Sequence, residues 1–213
     1  MSTRTARPHP LFARFYRRMA DAGEHGEPAV RRDQLLAGLT GRVVEIGAGS
    51  GTNFAHYPDT VTGVVAVEPE PYLRTWAEAA AERAPVPVSV VDGTADALPL
   101  TPASVDAGVV SLVLCSVPDQ AAALAELFRV IRPGGELRFL EHVASDDPRW
   151  ARRQRRLDPI WSAVSGGCHI TRHTGESIEA AGFVVETRDE FQFPSGVFGR
   201  LGGQHILGRA SRP

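Results

Sequence analysis

The sequence lacks lysine altogether, since all 23 of its basic residues are arginine. It contains two cysteines, Cys115 and Cys168, which excludes a disulfide framework, and without further cysteine clusters a structural zinc site is not expected. No apolar run approaches the roughly 20 residues of a transmembrane helix, and the N-terminus lacks the apolar core of a signal peptide. We therefore expect no membrane anchor and a cytoplasmic location.

Composition and charge narrow the class of protein further. The 213 residues fit a single domain, 1–213, and the 43% hydrophobic and 23% charged residues are typical of a soluble globular protein. A net charge of −2 gives no indication of nucleic acid as the main partner. The missing lysine and the many Ala, Gly and Pro residues are typical of a GC-rich, bacterial genome. The oligomeric state stays open.

Apolar periodicity divides the chain into a helical N-terminal part, residues 10–38 with a Gly-rich hinge at 23–28, and a part in which strands and helices alternate. Predicted strands cover residues 43–46, 64–67, 86–91, 105–113, 137–140, 183–193 and 205–210, with helices over 72–83, 121–131 and 174–181. Such alternation predicts an α/β, Rossmann-like fold with a mostly parallel seven-stranded sheet and helices on both faces. Ligands of such sheets bind outside the carboxyl ends of the strands.

A glycine-rich turn follows the first of these strands. Gly47, Gly49 and Gly51 would let the backbone approach a ligand closely, and Glu45 ends the strand. The spacing departs from the G-x-G-x-x-G of dinucleotide-binding proteins, because Thr52 occupies the slot of the third glycine. A carboxylate here would repel a pyrophosphate but would suit a cationic ligand that carries an amino group. The pattern E-x-G-x-G-x-G resembles the first motif of class I S-adenosylmethionine-dependent methyltransferases.

The resemblance implies a set of residues that bind S-adenosylmethionine. Glu68 ends the second strand about 20 residues after the turn, where an acid commonly holds ribose hydroxyls, and Asp92 follows the third strand, where an acid reads the adenine amino group. Asp92 before Gly93 also fits a simple turn. The expected cofactor-binding residues are Glu45, Gly47, Ala48, Gly49, Gly51, Asn53, Glu68, Pro69, Asp92, Gly93, Thr94, Ala95 and Leu112.

From residue 35 to residue 210, the chain is most similar to the methyltransferase-like small alkyl-thiol S-methyltransferases, which share the ubiquinone/menaquinone methyltransferase-type core. The motifs that carry this resemblance are Leu-Cys-Ser at 114–116, Glu-His-Val at 141–143, Leu-Asp-Pro at 157–159 and Gly-Cys with Thr-Arg at 167–172. Animal members have an apolar N-terminal anchor, which is not expected here, and Glu68 stands where they have Asp. The resemblance implies a small-molecule substrate. The resemblance implies methylation of a thiol, with residues 1–40 as a helical cap and 146–173 as an insertion that forms the acceptor pocket.

A thiol acceptor must lose its proton, because the thiolate is the nucleophile. The candidate catalytic bases are His142, Asp158, His169 and His173, since histidine and carboxylate groups exchange protons near neutral pH. Cys115 is interpreted as a small buried residue. No metal is expected, because the adjacent Cys168 and His169 are poorly spaced for chelation.

Three other functions are compatible with the sequence. The first is methylation of a nitrogen, oxygen or carbon atom of another small metabolite, and the second is a non-catalytic S-adenosylmethionine-binding module. A nicotinamide oxidoreductase would share the sheet but would need the third-glycine spacing that is missing here.

Overall fold

A computed structural model describes residues 26–194 and 203–213. The first half of the helical segment expected over 10–38 lies outside these residues. Within them, the helix expected before the first strand is present as α1, and a short 3₁₀ helix at Phe54–His56 follows the glycine turn. No helix in the described part of the chain is both long and apolar enough to cross a membrane.

The seven expected strands are all present and form one sheet. They are β1 (Gly41–Ile46), β2 (Val61–Val67), β3 (Val88–Val91), β4 (Val105–Ser111), β5 (Ile131–His142), β6 (Val184–Gln192) and β7 (Gln204–Ser211), in the order β3-β2-β1-β4-β5-β7-β6. The first five strands pair in parallel, whereas β7 runs antiparallel to both β5 and β6. The sheet is therefore mixed rather than purely parallel, because residues 193–203, which join β6 to β7, are too few for the connection of about a dozen or more residues that a parallel pair requires.

Three of the five described helices begin where a side chain accepts a hydrogen bond from one of the first free N–H groups. The helices are α1 (Glu27–Leu36), α2 (Pro71–Ala81), α3 (Gln120–Val130), α4 (Pro148–Val164) and α5 (Thr174–Ala180). The carboxylates of Glu70, Asp119 and Asp147 cap α2, α3 and α4 in this way. Acidic caps also fit the positive end of the helix dipole.

Neighbouring residues of the central strands belong to cores on opposite faces of the sheet. Val43 of β1 packs with Leu36 of α1 and Ala77 of α2, whereas Val44 packs with Leu127 of α3 and Ile178 of α5. This alternation follows from the two-residue repeat of a strand. Helices therefore cover both faces, as expected, and the carboxyl ends of β1 to β5 lie together at one edge of the sheet.

Several strand ends differ from the sequence-based prediction, and two of these differences have a clear local cause. Strand β4 ends at Ser111 rather than Val113, because Leu112 takes a positive φ of 60° and turns the chain away from the ladder. Strand β5 begins at Ile131 rather than Leu137, because Ile131 pairs with Val105 directly after α3.

Candidate active site

Glu45, at the carboxyl end of β1, is almost fully buried and is hydrogen bonded to the segment that follows the glycine turn. Its two carboxylate oxygens accept hydrogen bonds of 2.8 Å from the amide nitrogen of Asn53 and from the hydroxyl of Tyr57. Burial raises the pKa of this carboxyl to about 7, although both hydrogen bonds act to lower it. The amide oxygen of Asn53 is buried without a hydrogen-bond partner. An unpaired acceptor beside a buried carboxylate favours a ligand with a cationic N–H group.

The glycines of the turn serve packing as well as ligand approach. A Cβ atom on Gly47 would lie 2.5 Å from Cγ2 of Val113, and one on Gly51 would lie 2.7 Å from the ring of Phe54. Gly47, Gly49 and Gly51 all have positive φ. The turn is therefore held tightly between the segment after β4 and the 3₁₀ helix, and the intervening Ala48 is buried.

Glu68, at the carboxyl end of β2, links this turn to the start of α2. One of its oxygens accepts a hydrogen bond of 2.8 Å from the backbone N–H of Gly49, and the other accepts one of 2.9 Å from that of Glu70. Burial raises the pKa of the Glu68 carboxyl against the lowering effect of these two bonds. Each oxygen retains a further lone pair for a ligand hydroxyl.

Arg74 of α2 was not recognised from the sequence as part of this site. Its guanidinium donates hydrogen bonds to the carbonyls of Glu68 and Pro69, and it forms an ion pair of 2.7 Å with the carboxylate of Asp92. The ends of β2 and β3 are thus held together by one side chain. The only feature of the sequence that could have indicated a role for Arg74 was its position near the start of a helix that follows a strand end.

The expected adenine-binding segment follows β3. Asp92 remains 55% exposed at its side chain despite the ion pair with Arg74, and Thr94 forms an isolated bridge with Ala97, with Ala95 between them. A Cβ on Gly93 would lie 2.9 Å from Cγ1 of Val67, so the segment approaches the end of β2 closely.

Glu141 of β5 is fully buried and orients the chain after β4. Its carboxylate accepts three backbone hydrogen bonds, at 2.9 Å from Val113 and 3.0 Å from both Leu114 and Cys115. Burial raises the pKa of the Glu141 carboxyl, and the three backbone bonds oppose that effect. Sequence reasoning noted the Glu-His-Val motif but missed this structural role, because the three N–H groups come from a segment 26 to 28 residues away.

The segment that contains α4 and the following loop folds onto this edge of the sheet. The guanidinium of Arg172 donates to the carbonyls of Leu114 and Val117. The backbone N–H of His169 donates to the carbonyl of Cys115 at 2.8 Å. Gln154 bridges α4 to the end of β5 through Ser145 and Val143. Residues of the expected insertion therefore lie against the ends of β4 and β5.

Two of the four candidate bases form a pair. The Nδ1 atom of His169 lies 2.7 Å from one oxygen of Asp158, whose other oxygen accepts a hydrogen bond of 2.9 Å from the backbone N–H of Ile170. The carboxylate thereby fixes the orientation of the imidazole and leaves its second nitrogen for another partner. The ring is 40% exposed, so a small molecule can reach it.

The other two candidates lie in different surroundings. His173 precedes α5, is 64% exposed and faces Glu176 at 3.8 Å. His142 places its Nδ1 atom 3.8 Å from Sγ of Cys115 and 3.6 Å from Sγ of Cys168. The two sulfur atoms lie 3.4 Å apart, and both cysteines are free and buried.

The two thiols differ in acidity because they share a hydrogen bond. That bond lowers the pKa of Cys168, and His142 lowers it further. The same bond, together with burial, raises the pKa of Cys115 well above its ordinary value. Sequence reasoning treated these cysteines separately and did not place them together with His142.

The strand order and the carboxylates at the ends of β1, β2 and β3 define a Rossmann-like methyltransferase architecture. A putative methyltransferase from Bacillus halodurans superposes with a TM-score of 0.70 at 17% identity, over 88% of this chain and 100% of that chain. A putative methyltransferase in complex with the Trm112 activator from Haloferax volcanii superposes with a TM-score of 0.74 at 19% identity, over 98% and 99%.

Sequence comparison is more specific than the fold. Residues 44–139 match the methyltransferase domain family. Human thiol S-methyltransferase TMT1A is 34% identical over 183 residues, which cover 83% of this chain and 74% of the relative, and human thiol S-methyltransferase TMT1B is 36% identical over 181 residues, which cover 82% and 73%. The chain belongs to the family of S-adenosylmethionine-dependent methyltransferases that includes these two proteins, and its cofactor is S-adenosylmethionine.

Proposed function

We propose that this enzyme transfers the methyl group to the sulfur of a small-molecule thiol. The observation that carries the proposal is the pairing of His169 with Asp158 beside the end of β4. A thiol with a pKa of about 8.5 is mostly protonated at neutral pH, so its methylation benefits from a positioned base. The names of the human relatives, which describe thiol S-methyltransferases, support the same acceptor atom.

The residues at the carboxyl ends of β1 and β2 fit S-adenosylmethionine. Glu45 supplies a carboxylate, and Asn53 supplies the buried oxygen that lacks a partner, so together they suit the α-ammonium group of the cofactor. The backbone of Gly47, Ala48, Gly49 and Gly51 would support the amino-acid part. Glu68 would accept hydrogen bonds from the ribose hydroxyls through its remaining lone pairs.

The adenine would be held by the segment after β3. The exposed carboxylate of Asp92, already oriented by Arg74, would accept a hydrogen bond from the adenine amino group. Gly93, Thr94 and Ala95 would frame the ring beside Pro69. The half-exposed Leu112, whose positive φ turns the chain at the end of β4, would contact the reactive end of the cofactor.

When bound, S-adenosylmethionine supplies an electrophilic methyl group and departs as the neutral thioether S-adenosylhomocysteine. The free ring nitrogen of His169 would accept the proton of the acceptor S–H group, and the resulting thiolate would form the new sulfur–carbon bond. Asp158 stabilises the imidazolium that this transfer creates, because its carboxylate already lies 2.7 Å from Nδ1. Glu141 contributes by holding the backbone of Cys115, to which His169 is hydrogen bonded.

The remaining catalytic contribution is alignment of the acceptor in a site from which water is excluded. Residues 146–173 would form the wall of the acceptor pocket, since Arg172 and His169 attach this segment to the ends of β4 and β5. Helix α1 would form part of a second wall, whereas residues 1–25 of the helical cap expected over 1–40 lie outside the described residues. The whole chain 1–213 would act as a single domain.

The test is a methyl-transfer assay with labelled S-adenosylmethionine and matched acceptors that differ in one atom, such as an alkyl thiol, the corresponding alcohol and the corresponding amine. We expect label in the thiol product alone. Methylation of the alcohol or the amine but not of the thiol would reject the acceptor assignment and leave the methyltransferase activity in place.

A further inference from the structure

Three side chains with metal-binding atoms converge at the end of β5. Sγ of Cys115, Sγ of Cys168 and Nδ1 of His142 are separated by 3.4, 3.6 and 3.8 Å. Among residues 26–194 and 203–213, this is the one group of three Cys, His, Asp or Glu side chains close enough to share an ion. Its members come from the segment after β4, the end of β5 and the loop after α4.

The distances match three corners of a zinc coordination tetrahedron. With Zn–S bonds of about 2.3 Å and Zn–N bonds of about 2.0–2.1 Å, a tetrahedral site separates two sulfurs by about 3.8 Å and a sulfur from a nitrogen by about 3.6 Å. All three edges between Cys115, Cys168 and His142 are therefore within about 0.4 Å of those values without any backbone movement. A disulfide would instead require the sulfur atoms to approach to about 2.05 Å.

The three ligand groups are held in place by their neighbours. The backbone of Cys115 is fixed by Glu141 at 3.0 Å. The ring of His142 packs against that of His205, with centroids 4.2 Å apart, and His205 is itself fixed by a 2.6 Å contact of its Nδ1 with the carbonyl of Gly203. Such support of the ligands is characteristic of metal centres, in which outer groups orient the residues that bind the ion.

An unpaired donor next to the two sulfurs gives a second indication. Trp161 packs against the cluster that contains Cys115 and Cys168, and its buried indole N–H faces Cys168 but makes no hydrogen bond of ordinary length. Buried donors are rarely left unpaired. A ligand sulfur that carries negative charge would be a suitable acceptor for this N–H group.

The geometry points to a zinc-class divalent cation bound by Cys115, Cys168 and His142, with the sulfur of the acceptor thiol as its fourth ligand. Three protein ligands and one open position are the pattern of catalytic rather than structural zinc. The expectation of no metal rested on the adjacent Cys168 and His169, whereas the trio combines residues distant in sequence. The role of the fourth ligand rests on the proposed function, but binding of the cation does not.

Binding of the acceptor thiol to the cation changes the oxidation state of neither the sulfur nor the metal. The S–H bond of the acceptor breaks, its proton passes to His169, and a bond forms between sulfur and the cation. Two cysteine thiolates neutralise the charge of the cation, so the bound acceptor thiolate remains electron-rich and reactive. Once methylated, the sulfur is a neutral thioether and a weaker ligand, so water can replace it.

The first experiment measures metal binding by the full-length protein without reference to activity. We expect about one equivalent of zinc after dialysis. Cobalt substitution should give the intense visible absorption of a tetrahedral site and a thiolate-to-cobalt charge-transfer band. Cys168→Ser and His142→Asn should each lose at least 100-fold in cobalt affinity while retaining a folded circular dichroism spectrum. His173→Asn, which changes a histidine outside the cluster, should bind like the wild type. Absence of stoichiometric metal from the wild-type protein would overturn the proposal.

The second experiment tests the fourth ligand with 2-mercaptoethanol, using ethylene glycol as the oxygen-containing control. The thiol should increase the charge-transfer absorption of the cobalt protein, and the control should not. If cobalt binds but the thiol changes nothing, the acceptor does not bind the metal, and this part is refuted. If the thiol binds cobalt but labelled methyl never reaches any thiol, the proposed function fails while the metal site stands. If metal-free protein methylates the thiol at the full rate, the proposed function stands and the role of the metal as a ligand of the acceptor is refuted.

Discussion

The Oε2 atom of Glu68 accepts a hydrogen bond of 2.8 Å from the backbone N–H of Gly49. This contact joins the end of β2 to the middle of the glycine turn, so one carboxylate both shapes the turn and faces the region proposed for the ribose. Loss of Glu68 should therefore weaken cofactor binding in two ways, by removing the proposed contact with the ribose and by releasing the glycine turn.

We predict that Glu68→Ala weakens S-adenosylmethionine binding by about 10- to 100-fold or more, because each hydrogen bond to a charged group contributes about 1.5–3 kcal/mol. Gly49→Val should have a similar effect, since a β-branched residue is strained at the φ of 58° that Gly49 adopts. Isothermal titration calorimetry measures both effects. Glu78→Ala changes an exposed glutamate of α2 and is a control that should bind S-adenosylmethionine like the wild type. Unchanged affinity in both folded variants would refute the assigned cofactor contacts.

The carboxylate of Glu141 should be essential for stability. Glu141→Ala would leave the N–H groups of Val113, Leu114 and Cys115 unpaired, at a cost of at least about 3 kcal/mol. For a chain of this size, this predicts a fall in melting temperature of about 6–12 °C. Thermal unfolding by circular dichroism provides the measurement, with the exposed Glu176→Ala as a control expected to change stability by less than about 0.5 kcal/mol. A melting temperature close to that of the wild type would contradict the structural role of Glu141.

The pairing of His169 and Asp158 predicts a pH-dependent loss of activity. His169→Asn should lower turnover at pH 7 by about 10²–10⁴-fold, the usual contribution of a general base, and alkaline buffer should partly restore it by ionising the thiol directly. Asp158→Asn should give a smaller loss of the same kind, with cofactor affinity intact in both variants. His173→Asn should retain turnover near that of the wild type. A pH-independent loss, or no loss, would show that His169 does not act as a base.

Burial of Glu45 predicts a specific pH dependence of stability. Burial raises the pKa of this carboxyl to about 7 from its ordinary 4.5, so between these values the folded protein retains a proton that the unfolded chain has lost. Because the native state binds more protons in this window, the contribution of Glu45 becomes less favourable as pH rises from 4.5 to 7 and is constant above 7. At 1.36 kcal/mol per pKa unit, the effect is about 3 kcal/mol.

Glu45→Gln, which mimics the protonated carboxyl, should remove this effect. We expect the variant without cofactor to gain stability relative to the wild type by up to about 3 kcal/mol between pH 4.5 and pH 8. Urea unfolding at several pH values within this range measures the difference. A difference between the two proteins that is the same at every pH would exclude Glu45 as a group of raised pKa.

Much of the fold followed from the sequence because it depends on local patterns. Apolar runs such as 105–113 identified strands, and the alternation of strands and helices predicted the layered sheet. The glycine turn after Glu45 was recognisable because only glycine tolerates both positive φ and the close approach of Val113. In each case the constraint acts on residues that are adjacent or regularly spaced in the chain, so the sequence itself records it.

Tertiary structure decided the rest, because the groups involved are remote in sequence. The carboxylate of Glu141 accepts hydrogen bonds from N–H groups 26 to 28 residues away, and Arg74 forms an ion pair with Asp92, which lies 18 residues further along the chain. Likewise Cys115 and Cys168 are 53 residues apart, yet their sulfur atoms lie 3.4 Å from each other. The sequence predicted none of these contacts, and only the packing of distant segments against one another brought the partners together, since no local pattern encodes such a contact.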